Sequence, residues 1–158
     1  MRNLIRISAI VLLATSTVGC SSLMRSAMVE ERSSPHNMEE TIKIITERAK
    51  LKGWSISEPK KLDQTIQKHG GPVVLPVSLL ELCEPHHAGS LLANDNDRWV
   101  SVMMPCTISV YEKSNGKVYV ANLKAKNMGG LMGGNVAKVM GGAVADAQEE
   151  LLTFLHND

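Results

Sequence analysis

The chain has 158 residues, a formal net charge of +1 and only 3% aromatic residues. Two of its 17 basic side chains, Arg2 and Arg6, lie in the first 19 residues, whereas all 16 acidic side chains come later, so the rest of the chain is close to neutral. This balance excludes an electrostatic basis for nucleic-acid binding, and the length fits one domain with an aliphatic and methionine-rich core.

The first 19 residues have the three-part pattern of a bacterial secretory signal. Basic Arg2 and Arg6 precede an apolar run at residues 7–14, and small residues follow at 15–19. The apolar run is much shorter than the ~20 residues that a membrane-spanning helix needs. We therefore predict a signal peptide at residues 1–19 that is removed on export.

The end of this segment resembles the lipobox of bacterial lipoproteins, in which a cysteine thiol receives a diacylglycerol before cleavage. The motif is Val18, Gly19 and Cys20, and Thr17 stands where leucine is usual. The resemblance implies a membrane anchor at Cys20. Ser21 after it resembles the sorting pattern of outer-membrane lipoproteins, so we expect an outer-membrane location facing the periplasm.

A single domain is predicted at residues 28–158, after a lipidated tether at 20–27. Its best-defined helix begins at Asn37, which with Glu40 forms a capping-box-like start, and it ends at Gly53. Four apolar residues recur at helical spacing between those ends: Met38, Ile42, Ile45 and Ala49. Shorter elements are predicted around this helix, with strands at 28–32 and 54–57 and a helix at 61–69.

The next predicted strand is a β-branched and leucine-rich run at residues 73–83. Pro76 indicates either an edge strand or a late start, because proline cannot donate a hydrogen bond to a neighbouring strand. Pro85 suits the first turn of a helix at residues 86–94, where a missing N–H costs nothing.

The clearest alternation of the sequence predicts a strand at residues 100–111. Its apolar residues share one parity: Val100, Val102, Met104, Cys106, Ile108 and Val110. The thiol of Cys106 is therefore expected to point into the core, which leaves Cys83 as the more accessible thiol.

A hairpin turn is predicted at residues 114–116. A two-residue turn would set Val110 opposite Ala121, whereas a three-residue loop with Gly116 in the left-handed conformation sets it opposite Val120. We predict the three-residue loop because it keeps apolar residues on one face.

The last segment, residues 124–156, is rich in glycine and ends as a helix. Its six glycines are Gly129, Gly130, Gly133, Gly134, Gly141 and Gly142. Their spacing does not match a phosphate-binding loop, and charges such as Lys138 and Asp146 argue against helix pairing inside a bilayer. We expect the glycines to allow close packing of a helix on the sheet or on a second subunit.

Two separated motifs carry a resemblance to a known family. Residues 81–88 read Glu-Leu-Cys-Glu-Pro-His-His-Ala, and the second motif runs through residues 104–113 and 116–120. Together they resemble the uncharacterised domain-of-unknown-function-302 family, over about residues 28–154. The resemblance implies a compact α/β fold of the α+β type, with one mainly antiparallel sheet backed by helices, and a homodimer. It implies no agreed activity.

Five residues have ligand-like chemistry and are candidates for a common site: Cys83, His86, His87, Met104 and Cys106. Cys83 ends a strand just before a helix N-terminus, where the helix dipole favours a thiolate. Thiolate, thioether and imidazole together suit copper(I), and two thiolates with histidine also suit zinc. Cys83 and Cys106 could equally be inert core thiols, or a disulfide or redox pair.

Enzymatic chemistry stays undecided at this level. Cys83 with His86 or His87 has the residue types of a nucleophile and its base, and Glu81 is either a partner of Cys83 or a solvated charge on a strand edge. No spaced orienting acid or oxyanion motif accompanies them. We therefore predict a lipid-anchored binding or accessory module with no assigned cofactor. Its expected partners are the membrane, a second copy, and a metal ion or small apolar ligand; soft-metal or thiol redox chemistry at Cys83 and Cys106 is the alternative function.

Overall fold

The structure is a computed structural model that describes residues 22–156. The predicted signal peptide, the predicted lipid site Cys20 and the sorting residue Ser21 lie outside the described residues. Within that range no helix combines the length and apolar character that crossing a bilayer requires.

In the part of the chain that the structure describes, six strands form one antiparallel sheet. They are β1 (Val29–Ser33), β2 (Ser55–Ile56), β3 (Lys60–Lys61), β4 (Val77–Cys83), β5 (Cys106–Glu112) and β6 (Val118–Leu123). The strand order is β1-β6-β5-β4-β2, and β3 also pairs with β4. Every strand pair is antiparallel, so the predicted α+β class with a mainly antiparallel sheet backed by helices is confirmed.

Within the described range, seven α-helices accompany the sheet. They are α1 (residues 22–28), α2 (Met38–Leu51), α3 (Leu62–Lys68), α4 (Pro85–Leu92), α5 (Ala125–Met132), α6 (Gly134–Lys138) and α7 (Ala145–Leu151). A 3₁₀ turn (Arg98–Met103) precedes β5, and a π-helical segment (Val139–Val144) joins α6 to α7. The capping prediction for α2 is confirmed, since the Glu40 backbone N–H donates to Asn37 Oδ1 at 2.9 Å. Pro85 occupies the first turn of α4, also as predicted.

One face of the sheet forms the main core. Leu80 and Leu82 of β4 lie opposite Ile108 and Cys106 of β5, and their buried side chains pack against α2 and the C-terminal segment. Cys106 packs against this core, as its parity predicted. Because each buried aliphatic side chain contributes roughly 1.5–3 kcal/mol, the central β4–β5 pair fixes which sheet face turns inward.

The predicted strand at residues 100–111 is wrong in its first half. β5 begins only at Cys106, and the preceding residues form the 3₁₀ turn. Pro105, which follows a cis peptide bond, has no N–H to donate to a neighbouring strand and so marks the boundary. Val100 is buried in a separate hydrophobic cluster, whereas Val102 is 83% exposed, so their shared parity does not reflect one sheet face.

The strand pairing fixes both the start of β4 and the turn of the β5–β6 hairpin. The late-start interpretation of Pro76 is correct, because β4 begins at Val77 and lies inside the sheet. In the β5–β6 hairpin Val110 pairs with Val120, and Gly116 has φ of 76°, as the three-residue loop requires.

The glycine-rich segment packs helix against helix. A Cβ atom added to Gly129 of α5 would lie 2.5 Å from the backbone nitrogen of Gly141 in the π-helical segment. Gly129 thus brings two helical backbones together within one chain. Of the two expected partners, the sheet is wrong for this glycine, and packing on a second subunit stays a prediction. The reason is the break at Gly133, whose φ of 68° ends α5 and turns the chain back onto it.

This contact predicts opposite effects for two neighbouring substitutions. Gly129→Ala should lower the free energy of unfolding by about 1–3 kcal/mol, because its methyl group meets backbone that cannot rotate away. Gly130→Ala, on the open side of α5, should raise it by about 0.5–1 kcal/mol through helix propensity. Urea denaturation of both variants measures the difference, and equal effects would contradict the close contact.

Candidate ligand cleft

The predicted site residues lie at one end of the sheet, which we call the cleft end. Three strand pairings define it: Val29 with Leu123, Leu82 with Cys106, and Ser55 with Cys83. The starts of β1, β2 and β5 and the ends of β4 and β6 therefore meet there. The β5–β6 hairpin loop lies at the opposite end.

A cleft opens where β4 and β5 reach this end, between α4, the 3₁₀ turn and the π-helical segment. It lies where two hydrophobic clusters meet, the main core with Trp54 and Val144 and a second cluster with Leu91 and Met140. Its volume is about 30 Å³. That is room for an ion or one or two waters, whereas pockets for drug-sized ligands measure roughly 300–1,000 Å³.

The lining of the cleft is rich in sulfur. Five sulfur-bearing residues border it: Cys83, Met103, Met104, Cys106 and Met140. His87 brings an imidazole to the same cleft, and the remaining lining is mostly apolar. Sulfur is polarisable and adapts to irregular space, so this lining suits a soft ion or a small apolar group.

The structure brings four of the five predicted ligand residues to this cleft. They are Cys83, His87, Met104 and Cys106, whereas His86 is exposed and is not part of the lining. Sequence reasoning missed Met103, Met140 and Trp54. Met140 and Trp54 are distant in sequence from the two motifs, and only the packing of the helices on the sheet brings them to the site.

Cys83 and Cys106 are both free thiols, and each is half-buried. Cys106 pairs directly with Leu82, and both face the core. Because side chains alternate along a strand, Cys83, which follows Leu82, begins on the other face of the sheet. Among residues 22–156, no cluster of three or more His, Cys, Asp or Glu side chains is arranged to hold a metal ion. A metal held in the cleft would therefore depend on methionine sulfur.

Burial raises the pKa of the Cys106 thiol above its usual range, and the nearby Cys83 raises it further. A charged thiolate loses its hydration in the apolar lining, and a second thiolate close by would repel it. Cys106 is therefore a protonated thiol at neutral pH. In that form it is a weak nucleophile and a small apolar side chain.

Glu84 connects the end of β4 to the start of α4. Its carboxylate accepts hydrogen bonds from the backbone N–H groups of His86 and His87. Burial alone would raise the pKa of Glu84. The hydrogen bonds from the backbone N–H groups of His87 and His86 have the larger combined effect, so the pKa of Glu84 lies below its ordinary value. The His87 Nδ1 atom is 3.6 Å from the same carboxylate, so Glu84 also positions the imidazole beside the cleft.

The lowered pKa of Glu84 predicts a pH-dependent stabilisation by this cap. The stabilisation is fully present above the ordinary pKa of 4.5 and is lost as the pH falls through the lower folded-state pKa. At pH 7, Glu84→Gln should lower the free energy of unfolding by about 1 kcal/mol, as loss of a helix cap does. The gap between the two proteins should close as the pH falls below about 4.5.

Denaturant unfolding at several pH values tests this cap. Glu47→Gln, on the exposed surface of α2, is the matched control and should change stability by less than about 0.5 kcal/mol. A difference in unfolding free energy between the natural protein and Glu84→Gln that stays constant down to acidic pH would contradict a role for the charged carboxylate.

Comparison with known proteins gave a family and a fold. The sequence profile of the family described as "Domain of unknown function DUF302" matches residues 30–157. A solved structure, described as the "uncharacterized conserved protein DUF302 from Bacillus stearothermophilus", superposes with a TM-score of 0.69 at 22% sequence identity. The match covers 80% of this chain and 96% of that chain, and it shows a common fold. Comparison with curated protein sequences gave no match.

Proposed function

The chain belongs to the family of domains of unknown function DUF302, and on that premise we propose that it is a lipid-anchored extracytoplasmic module that binds a small ligand in the sulfur-lined cleft. Membership of this family does not indicate an activity, so the proposal is based on the residues and geometry of the cleft. The observation that carries the proposal is the convergence of Cys83, His87, Met104 and Cys106 on one cleft between two hydrophobic clusters.

At Cys106, binding is favoured over covalent chemistry by the raised pKa of its thiol. A catalytic cysteine needs a lowered thiol pKa and a base within hydrogen-bond distance. The pKa of Cys106 is raised instead, and the His87 imidazole lies beside the Glu84 carboxylate. The same raised pKa slows thiol exchange through Cys106, which disfavours this thiol as a member of a redox pair.

Soft-metal binding is the second candidate function, and the thioethers of Met103, Met104 and Met140 favour it. Thioether sulfur is a neutral ligand, so it is available to copper(I) at any pH without losing a proton. The cleft volume of about 30 Å³ is also closer to an ion than to an organic molecule. Zinc fits less well, because it would need a thiolate from Cys106, whose thiol burial keeps protonated.

Trp54 is a built-in reporter for this test, because it lines the cleft and is 7% exposed. Trp99→Phe removes the other tryptophan of the chain and leaves Trp54 as the only indole. Anaerobic titration with copper(I), in competition with a chromophoric chelator, should then quench Trp54 emission at one equivalent. Met104→Leu and Cys106→Ser should each weaken copper(I) binding at least tenfold.

The matched control is Met24→Leu, which removes an exposed thioether on α1 and should leave the copper(I) affinity unchanged. Equal weakening by Met24→Leu would mean adventitious binding and would count against the metal site. A Trp54 response to benzene without a response to copper(I) would instead select the small apolar ligand. No response to either would overturn the cleft as a binding site.

The anchor is tested by Cys20→Ser. The basic start, short apolar run and lipobox-like end of the sequence support acylation at this cysteine. The variant should accumulate as an unprocessed precursor or be released from the membrane, because serine cannot form the thioether to diacylglycerol. Mass spectrometry and membrane fractionation measure this, and normal cleavage with unchanged membrane retention would contradict the anchor.

A further inference from the structure

We infer that a groove beside the cleft binds a small, uncharged aromatic amide, with the Gln148 side chain as its polar anchor. The groove has a volume of about 330 Å³, and pockets that hold organic ligands measure roughly 300–1,000 Å³. The inference goes beyond the proposed function, which concerns the much smaller cleft, and it depends neither on the lipid anchor nor on copper(I).

The groove lies at the cleft end of the sheet. Its lining includes Cys106 and Thr107 of β5, Leu123 of β6 and Met128 of α5. It borders the cleft, because five residues line both spaces: Met103, Met104, Pro105, Cys106 and Met140. Met128 and Gln148 line the groove and not the cleft, so they distinguish the two spaces.

Gln148 is a polar residue at a core position of α7. It lies four residues after Val144 and three before Leu151, and both of those side chains are buried. Gln148 is itself only 8% exposed. An apolar side chain is expected in such a stripe, because a buried amide loses its hydrogen bonds to water. A role for the amide would explain why glutamine stands there.

Within the part of the chain that the structure describes, the Gln148 amide has no hydrogen-bond partner. The completely buried side-chain atoms without a partner are Arg32 Nε and Asn122 Oδ1, so the amide atoms of Gln148 are not sealed in the core. A partner can reach them through the groove. Gln148 also borders a depression that contains charged residues such as Lys126 and Asp146, which is a competing location for a ligand.

The lining of the groove favours an uncharged ligand with a flat apolar body. The charged residue of the lining, Glu81, is 2.6 Å from the Lys60 ammonium, so its charge is already paired. The Cys106 thiol, whose pKa is raised by burial, adds no charge. Thioether sulfur packs favourably against aromatic rings, and four methionines line the groove: Met103, Met104, Met128 and Met140.

The amide of Gln148 selects the polar group of the ligand. A glutamine side chain carries both donors and an acceptor. Its Nε2–H group can donate to a carbonyl oxygen while its Oε1 atom accepts from an N–H group, and a carboxamide offers both. A carboxylate offers only acceptors and a hydrocarbon offers neither, so each would leave part of Gln148 unpaired.

Methyl NMR on the full chain, labelled with ¹³C at its methionine and alanine methyl groups, tests this site. The probes are benzamide, benzoate and isopropylbenzene, which have similar shapes and differ in their polar group. Benzamide should shift Met128 and bind at least about tenfold more tightly than the other two probes. Met24, which is exposed on α1, should not shift.

Two substitutions separate the amide from the apolar lining. Gln148→Leu keeps a side chain of similar size, so it should weaken benzamide binding about tenfold and leave isopropylbenzene binding no weaker. Gln67→Leu, at an exposed position on α3, is the matched control and should leave both affinities unchanged. The order of the three probes on the natural protein tests the amide even if Gln148→Leu does not fold.

Equal affinity for the three probes, or equal weakening by the two variants, would overturn the inference. A benzamide shift at Ala145, which borders the depression and not the groove, without a shift at Met128 would overturn it as well. No shift with any probe would mean that the groove holds only water, which is a third contradicting result. Copper(I) binding in the cleft is measured separately through Trp54, so failure of one proposal is distinguishable from failure of the other.

Discussion

The inward burial of the central antiparallel pair, β4 and β5, is the constraint on which the rest of the structure depends. Leu80 and Leu82 face the helices together with Ile108 and Val110, and a slip of one residue in this pairing would move all of them to the other face. The edge strand β1 is held to the same inner layer by Arg32. Its guanidinium, 4% exposed, contacts Glu149 of α7 at 3.0 Å.

The cleft follows from where this pair ends. Beyond Cys83 the chain leaves the sheet into α4, and before Cys106 it arrives from the 3₁₀ turn, so residues of the main core and of the second cluster meet at this end. Methionine and cysteine fill the irregular space between those two clusters better than branched aliphatic residues would. The sulfur-bearing side chains thus fill space between the two clusters, and they are also candidate ligands.

Short sequence patterns were sufficient to predict helix starts and turns, because neighbouring residues determine these elements. Asn37 begins α2 by capping it, Pro85 fits the start of α4, and Gly116 supplies the positive φ of the hairpin. The alternation before Cys106 gave a wrong prediction, because residues of one parity share a sheet face only where the chain forms a strand. Pro105 indicated that the strand does not extend to residues before it. The cleft was predicted only in part, because Trp54 and Met140 reach it through long-range packing that no local pattern encodes.

The pairing of the first strand with the last has a consequence for the order of events in folding. Val29 pairs with Leu123, and Ser33 forms a bridge with His156, so β1 meets its partners only after most of the chain has been synthesised. Contacts of such high sequence separation require large loops to close and slow the rate of folding. A chain still emerging from a ribosome leaves the polar inner residue Arg32 without its partner Glu149 until α7 has been made. The N-terminal strand, the first segment of the sheet to be made, is therefore among the last to be completed.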